Sequence, residues 1–250
     1  MMLKRLLMLI IVLRKNKDYI TTLCYHRVNM ENKCTDSSIC IKQNSFDQQM
    51  KYLKDNSILT LTMEEMYMYI NGFVQLPKSV LITLDDGWGL EGAIKVFEKY
   101  GLHGISFAPT YRIEDNSFTI DTFKSDSIEV QSHTHNMHRN YVCSKSLSSI
   151  GSSSQGGAIL CESEDYIKSD LKKSIELIEN LGKNKVIGLA YPFYDYNDRA
   201  IKLLKESGFK MGFGGTFSTN GKSKVGTDPY KVPRRTIFDT TSFNTWKGYL

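Results

Sequence analysis

The chain has 250 residues, 41% of them hydrophobic, and lysine plus arginine exceed aspartate plus glutamate by 32 to 27. This length is enough for one well-buried core, and it lies in the range that α/β barrels fill as a single domain. The basic residues are scattered without a dense arm or stripe, so the charge predicts no nucleic-acid partner. The five cysteines contain no Cys-x-x-Cys pair, and in a chain of this size we predict reduced thiols.

Residues 1–18 combine an apolar run with basic residues on both sides. As a helix, the run from Leu6 to Leu13 would rise about 12 Å, well short of the roughly 30 Å hydrocarbon core, so it predicts no membrane span. No small-residue cleavage site follows it. We expect a first buried element with a basic collar, with an export signal or a peripheral membrane contact as alternatives. A cytoplasmic or membrane-peripheral location is preferred to export, and residues 19–250 are expected to form one domain.

Short apolar strands alternate with helices along the rest of the chain. Strands are predicted at YITTLCY, SVLITL, GISFAP, SIEVQS, KVIGLAY and FKMGFGG. Helices are predicted at SFDQQMKYLKDN with a Ser45–Gln48 capping box, at TMEEMYMYI with a Thr62–Glu65 box, at LEGAIKVFEKYG, over 163–181 and at DRAIKLLKESG. This alternation predicts an α/β fold with a parallel sheet, of the β/α barrel type. The Ser- and Gly-rich segment 144–160 is predicted to be a mobile loop beside the site.

Polar residues stand where several of these strands end. His26 follows the first strand, Asp85 and Asp86 follow SVLITL, His133 follows SIEVQS, and Pro192 follows KVIGLAY. The carboxyl ends of barrel strands gather on one face, so these residues are expected to converge there. An Asp-Asp-Gly triplet is often only a turn. Directly after an apolar strand, however, two carboxylates are costly to bury without a positive partner.

Three of the five histidines, His133, His135 and His138, lie within QSHTHNMHRN. Strand periodicity would pair His133 with His135, because residues i and i+2 share a face, and amidohydrolases present a metal pair as His-x-His. The chain must turn out of the strand after His133, so the strand periodicity is a poor guide to side-chain directions beyond that point. From the residues alone, both pairings stay open.

TLDDG, SHTHNMH and AYPF, in this order and at these separations, resemble the motifs of the polysaccharide deacetylase family, the NodB-type carbohydrate esterases. CYHRV near the start resembles the circularly permuted branch that contains the poly-N-acetylglucosamine deacetylases. The resemblance extends from about Tyr19 to about Phe238 and implies a distorted, circularly permuted (β/α) barrel of the NodB type. It also implies metal-dependent hydrolysis of N-acetyl groups from a glycan, an N-acetylhexosamine polymer or its precursor, with release of acetate.

Carried over residue by residue, the resemblance implies that Asp85 is the catalytic base and that Asp86, His133 and His138 bind a divalent metal. His138 is preferred to His135 because the permuted branch has its second histidine five positions after the first. Two histidines and one carboxylate suit zinc, with cobalt and nickel as alternatives. On this interpretation His135 is a neighbour of the ligands.

The same resemblance implies further site residues. The backbone N–H of Phe193, after the motif Pro192, would hold the oxyanion. Most relatives carry the acid histidine late in the chain, but no histidine follows His138 here, so either the acid has been lost or another strand end supplies it. We expect the acid at His26, where a circularly permuted barrel would place the last strand first, and a surface histidine without a role is the alternative. AYPF has alanine where many relatives have an arginine that orients the base.

Either Arg234 or Arg235, in PYKVPRRTIF, could reach Asp85 in its place, and a solvated pair is the alternative. The aromatic candidates for stacking against a sugar, which are more often simply packed, are Tyr191, Tyr194, Tyr196, Trp88 and Trp246. His103 is interpreted as structural. Two other functions are kept: an amidohydrolase-like hydrolase using His133 and His135, and a carbohydrate-binding relative without turnover.

Overall fold

The computed structural model describes residues 18–35, 39–87, 89–115, 124–138, 163–215 and 220–250. Apart from Asp18, the N-terminal apolar and basic segment lies outside these ranges, and so does the Ser- and Gly-rich segment 144–160. Within the ranges, no helix has the length and apolar character that crossing a membrane requires.

Strands and helices alternate through the described chain. The strands are β1 (Ile20–Tyr25), β2 (Arg27–Asn29), β3 (Cys40–Lys42), β4 (Leu59–Thr60), β5 (Ser79–Asp85), β6 (Gly104–Ala108), β7 (Ile128–Ser132), β8 (Gly188–Ala190), β9 (Met211–Phe213), β10 (Lys222–Ser223) and β11 (Arg235–Thr236). The helices are α1 (Gln43–Asp55), α2 (Met63–Ile70), α3 (Leu90–Tyr100), α4 (Tyr111–Glu114), α5 (Glu164–Glu179), α6 (Asp198–Glu206) and α7 (Phe243–Tyr249). Two 3₁₀ turns cover Pro192–Tyr194 and Pro229–Lys231.

Strands β1, β5, β6, β7, β8 and β9 lie side by side in this order and pair in parallel. Beyond β1 the sheet curls back on itself. Val232 bridges to Phe213 of β9, and the following β11 pairs with β1, so the segment 232–236 links the two edges. The predicted distorted α/β barrel is therefore confirmed, and its circular permutation stays a prediction.

The alternation of side chains along the strands separates the barrel interior from the helix-covered outside. On β5, Val80, Ile82 and Leu84 pack with α1 and α3, whereas Leu81 belongs to the interior cluster. Asp85 lies four residues after Leu81 and therefore shares its inward face. The same rule directs Leu23 of β1 outwards and its neighbour Cys24 inwards. The barrel interior thus receives polar groups at the carboxyl ends of β1 and β5.

Helix α1 begins at Gln43, with Lys42 as its N-cap and no side-chain cap. The predicted Ser45–Gln48 capping box is wrong, because Ser45 lies inside the first turn. The second predicted box is confirmed: Thr62 Oγ1 accepts the N–H of Glu65 at 3.2 Å, and the Glu65 carboxylate accepts the N–H of Thr62 at 2.8 Å. Capping motifs therefore identified one helix start and missed the other.

The cysteines correct another prediction. Cys34 and Cys40 form a disulfide with a Cα–Cα distance of 5.6 Å, so the expectation of reduced thiols is wrong for this pair. The bond closes the loop between β2 and β3, which pair in parallel directly after His26. Cys24 is a free, buried thiol.

Candidate active site

The polar residues at the strand ends converge as predicted. Asp85 is the last residue of β5, and His26 and His133 come directly after β1 and β7. The 3₁₀ turn Pro192–Tyr194 stands two residues beyond β8. Since all four strands run parallel, their carboxyl ends place these residues at one end of the barrel.

Asp86, His133 and His138 form an Asp-His-His cluster. The Oδ1 atom of Asp86 lies 3.5 Å from Nε2 of His133 and 3.3 Å from Nε2 of His138. One potential ligand atom from each residue lies within 4.8 Å of the other two. The structure therefore brings together the three residues predicted to bind metal.

Backbone geometry orients the first histidine of the cluster. Nδ1 of His133 donates a hydrogen bond to the carbonyl oxygen of Ala190 at 2.8 Å, which leaves Nε2 directed at Asp86. A histidine ligand commonly has its other nitrogen fixed in this way by a carbonyl or carboxylate. Asp86 itself adopts a left-handed backbone conformation, with φ 65°, which turns the chain immediately after β5.

The loop that carries His138 is anchored by Asp170 of α5. Its Oδ1 accepts the N–H of His135 at 2.7 Å, and its Oδ2 accepts those of Asn136 at 2.7 Å and Met137 at 3.1 Å. Thr134 Oγ1 accepts the N–H of His138 at 3.1 Å. Successive N–H groups are thus held by carboxylate and hydroxyl oxygens, which fixes the path between the two histidine ligands.

Asp170 was not predicted from the sequence. One signal was present: it lies in an amphipathic helix at a buried position, between Ile167 and Ser174. A charged residue on the apolar face of a helix requires buried partners. That pattern could have marked Asp170 as a polar anchor, although not its target.

The charges of the cluster suit a cation. Burial and the nearby His133 lower the pKa of His138 to about 4, so its imidazole is neutral at pH 7. Burial opposes ionisation of Asp86, but the hydrogen bond and charge of His133 outweigh it and hold the pKa of this carboxyl well below its usual range. Burial also disfavours charge on His133, yet Asp86 and Asp85 together raise its pKa. The two carboxylates therefore favour positive charge at this point.

His135 is directed away from the cluster. Its Nδ1 lies 3.0 Å from Thr110 Oγ1, and its Nε2 lies 3.4 Å from a carboxylate oxygen of Glu114 on α4. Among the described residues, His135 joins no group that could hold a metal. The geometry thus favours pairing His133 with His138, which the residues alone had left open.

Asp85 lies beside the cluster with a different partner. Its Oδ1 accepts a hydrogen bond from Nη1 of Arg234 at 2.6 Å, and its Oδ2 lies 4.0 Å from Nε2 of His133. Arg235 turns instead to Tyr249, donating from Nη2 to the phenol oxygen at 2.7 Å. Arg234 is therefore the arginine that reaches Asp85, from the segment that closes the barrel.

Both members of this pair are buried and charged. Burial opposes the ionisation of Asp85, but Arg234 and His133 outweigh it and lower its pKa. Burial likewise opposes the charge of Arg234, and Asp85 more than compensates, which raises the pKa of the guanidinium. Asp85 is consequently an ionised carboxylate at neutral pH, able to accept a proton.

His26 also lies close to Asp85. Its Nε2 lies 3.3 Å from the hydroxyl of Tyr194, and a nitrogen of His26, an oxygen of Asp85 and the sulfur of Cys24 all lie within 4.8 Å of one another. Burial raises the pKa of Tyr194 well above its usual value, so this hydroxyl stays neutral. His26 is half-buried and adjacent to the carboxylate, as a proton donor in this site requires.

The turn after β8 is strained and lines the site. Phe193 and Tyr194 have φ angles of 58° and 64°, a left-handed conformation that bulky residues rarely adopt. The Phe193 ring stacks on His138 at 5.2 Å between centroids, and Pro192 before it is buried. The role of the Phe193 N–H as an oxyanion donor stays a prediction.

Two of the aromatic stacking candidates belong to the core. Tyr191 and Trp246 are fully buried, so their side chains cannot present a face to a sugar. Tyr191 donates to the Tyr230 carbonyl at 3.0 Å and packs against Tyr196. Trp88 lies outside the described residues. His103 precedes β6, at the opposite end of the barrel from the site, and its Nε2 lies 3.7 Å from Glu129. This position agrees with the interpretation of His103 as a structural residue.

Comparison with known proteins adds independent observations. The family model for polysaccharide deacetylases matches residues 74–212. A poly-beta-1,6-N-acetyl-D-glucosamine N-deacetylase of Staphylococcus aureus (strain MRSA252) is 26% identical over 265 residues, covering 95% of this chain and 86% of the relative. The Streptococcus pyogenes deacetylase PplD in complex with acetate has a TM-score of 0.76 at 20% identity, covering 92% of this chain and 97% of its own. IcaB from Ammonifex degensii has a TM-score of 0.74 at 21% identity, covering 94% and 97%.

Proposed function

The chain belongs to the polysaccharide deacetylase family and is a polysaccharide N-deacetylase, and we propose that its substrate is poly-β-1,6-N-acetylglucosamine. The staphylococcal relative named for that substrate aligns with almost the whole chain, which supports this choice of glycan. One observation carries the chemistry: an Asp-His-His cluster lies beside a second buried carboxylate, Asp85, which Arg234 holds at 2.6 Å. Metal-assisted hydrolysis of an amide uses a cation site and a separate base, and this arrangement offers both.

The residues of the cluster fit a divalent metal. Two neutral or deprotonable imidazoles and one carboxylate are a donor set typical of zinc, and cobalt or nickel are the alternatives. When bound, the metal would polarise the acetamide carbonyl and lower the pKa of a water molecule. The remaining chemistry falls to side chains around the cluster.

Asp85 is the proposed base. Its Oδ1 is engaged by Arg234, so its Oδ2, on the side of His133, is the oxygen that can take a proton from the attacking water. The lowered pKa keeps Asp85 ionised before the reaction. Arg234 thus orients the base and maintains its charge, the work that the motif arginine does in many relatives.

His26 is the proposed acid. When water adds to the carbonyl carbon and the C–N bond breaks, the departing amine must gain a proton, which leaves acetate and a free amino sugar. His26 is adjacent to Asp85 and contacts Tyr194, whose neutral hydroxyl can orient the imidazole. The N–H of Phe193 is the proposed donor to the oxyanion.

The direct test is acetate release from β-1,6-linked N-acetylglucosamine oligomers by the zinc-loaded protein. Asp85→Asn is the matched control, and β-1,4-linked oligomers of equal length test the linkage. With the unmodified protein, we expect acetate and new primary amines in equal amounts from the β-1,6 oligomers and not from the β-1,4 oligomers. With Asp85→Asn we expect neither product. Binding of metal and of these oligomers without acetate release from either would instead identify a carbohydrate-binding relative that lacks turnover.

The site of action is a separate proposal. Disulfides persist in oxidising compartments, so the Cys34–Cys40 bond supports action outside the reducing cytosol, against the cytoplasmic expectation from the sequence. Peripheral membrane contact through residues 1–18 stays a prediction. Alkylation of intact cells, before and after reduction, tests the compartment: the pair should resist alkylation until it is reduced.

A further inference from the structure

Strand β1 brings a thiol to the site for which the proposed reaction has no use. Cys24 is completely buried, and its sulfur lies 3.8 Å from the hydroxyl of Tyr194. A nitrogen of His26, a carboxylate oxygen of Asp85 and the Cys24 sulfur all lie within 4.8 Å of one another. This second group shares no residue with the Asp-His-His cluster.

The donor atoms of this group differ in kind from those of the first. Sulfur, imidazole nitrogen and carboxylate oxygen together suit zinc and other thiophilic cations, because soft thiolate ligands select such metals. We propose that Cys24, His26 and Asp85 form a second metal site that binds a thiophilic divalent cation such as Zn²⁺ or Cd²⁺, and that occupation of this site inhibits the enzyme. The inhibitory consequence rests on the proposed function, because it assumes that Asp85 and His26 transfer protons.

Binding follows a balanced exchange. The cation forms a bond to the Cys24 sulfur and displaces the S–H proton to water, while His26 and Asp85 contribute lone pairs. A cation held by His26 and Asp85 competes with the protons that these two residues exchange during turnover. A cation at this site therefore removes the proton acceptor and the proton donor together.

Arg234 determines when the second site fills. Its guanidinium lies 2.6 Å from Asp85 and places a fixed positive charge beside the incoming cation. In the Asp-His-His cluster the Asp86 carboxylate faces two imidazoles at 3.5 and 3.3 Å, whose nitrogens bind a cation when they are neutral. The cluster should consequently bind first, and the Cys24 group only when the cation is in excess over one equivalent.

Cadmium gives a signal that separates the two sites. Cadmium bound to a thiolate has an ultraviolet sulfur-to-metal charge-transfer band, and the Asp-His-His cluster contains no sulfur. Cys143 and Cys161 are further cysteines of the chain, so the experiment uses a Cys143→Ser/Cys161→Ser background. In this background, zinc-loaded protein is titrated with Cd²⁺, and the band and acetate release are recorded with and without Cys24→Ser. Cys24→Ala is a second variant in case the serine hydroxyl disturbs the core.

We expect the band to grow in the background protein and to be absent from both Cys24 variants. The Cd²⁺ concentration for half-inhibition, relative to each variant's own uninhibited rate, should rise by at least about 10-fold, the lower range for weakened metal sites. No band in the background protein, a band that survives Cys24→Ser, or equal inhibition in all variants would overturn the proposal. Because the band is read without substrate, a protein that lacked deacetylase activity would still report on this site.

Discussion

The two halves of the candidate site are held by different kinds of contact. In the Asp-His-His cluster, main-chain groups do most of the positioning: the Ala190 carbonyl orients His133, and Asp170 holds three consecutive N–H groups before His138. Around Asp85 the partners are side chains, namely Arg234 and His133, with Tyr194 on the neighbouring His26. Changes in the first half should therefore alter whether metal binds, and changes in the second should alter how protons move.

The largest effect is expected from a substitution in the Asp-His-His cluster. His138→Ala removes a donor of the cluster, so the protein should lose bound metal and acetate release together. His135→Ala is the matched control, because that ring is directed at Thr110 and Glu114. Metal content by atomic spectroscopy and acetate release are measured on both. Retention of metal by His138→Ala but not by His135→Ala would favour the amidohydrolase-like pairing.

Substitution of Arg234 tests the region around Asp85. In Arg234→Gln the charge that lowers the pKa of Asp85 is gone while the burial that raises it remains, so this pKa should rise. Since the base must be ionised, the acidic limb of the pH profile of kcat/KM should move to higher pH, with turnover reduced by about 10² or more. The metal content should be unchanged.

Breaking a buried ion pair commonly destabilises a protein by about 3–5 kcal/mol, so the melting temperature of Arg234→Gln must be measured as well. Arg234→Lys keeps the positive charge, so the acidic limb of its kcat/KM profile should lie much closer to that of the unmodified protein. Arg235→Gln, which affects the contact with Tyr249, is the control. An unshifted limb in a folded Arg234→Gln protein would refute the assigned role.

A smaller, substrate-dependent effect is expected at His26. His26→Ala should bind metal normally and lose about 10²-fold in rate on N-acetylglucosamine oligomers, whose amine must be protonated as it leaves. An aryl acetate has a leaving group that needs no proton, so the loss on that substrate should be smaller. Equal losses on the two substrates would exclude His26 as the acid.

The smallest effect sharpens the contrast between the halves. Asp170→Asn replaces one carboxylate oxygen with an N–H₂ group facing N–H donors, which should loosen the loop that carries His138. Metal affinity, measured by competition with a chelator, should fall by about 10- to 100-fold. Asp165→Asn, at an exposed position of the same helix, is the control. Unchanged affinity at wild-type stability would show that the loop does not depend on Asp170.

The sequence predicted the features that depend on local pattern. Apolar runs identified the strands, and polar residues at their ends predicted a shared site because parallel strands expose their carboxyl ends together. The choice between Arg234 and Arg235 could not be made this way. Adjacent residues of a strand face opposite sides, and which side meets Asp85 depends on how the segment 232–236 closes the barrel.

Other features depend on partners that are distant in sequence or on geometry that no spacing rule describes. Asp170 acts 33 to 35 residues away from the N–H groups that it binds. Disulfide connectivity cannot be deduced from cysteine spacing, so the sequence did not identify Cys34 and Cys40 as a pair. Ser45 and Gln48 had the spacing of a capping box, but the chain entered the helix earlier, at Gln43. Local sequence signals did not predict these features, because they depend on the tertiary structure around them.

The central claim is that the adjacent residues Asp85 and Asp86 have different tasks, and bound metal in Asp85→Asn and Asp86→Asn tests it most directly. Both variants are purified side by side with zinc, and metal content and acetate release are measured on the same samples. Asp86→Asn should lose metal, whereas Asp85→Asn should keep its metal while turnover falls by about 10² or more. Equal loss of metal in both variants, or normal turnover by Asp85→Asn, would contradict this division.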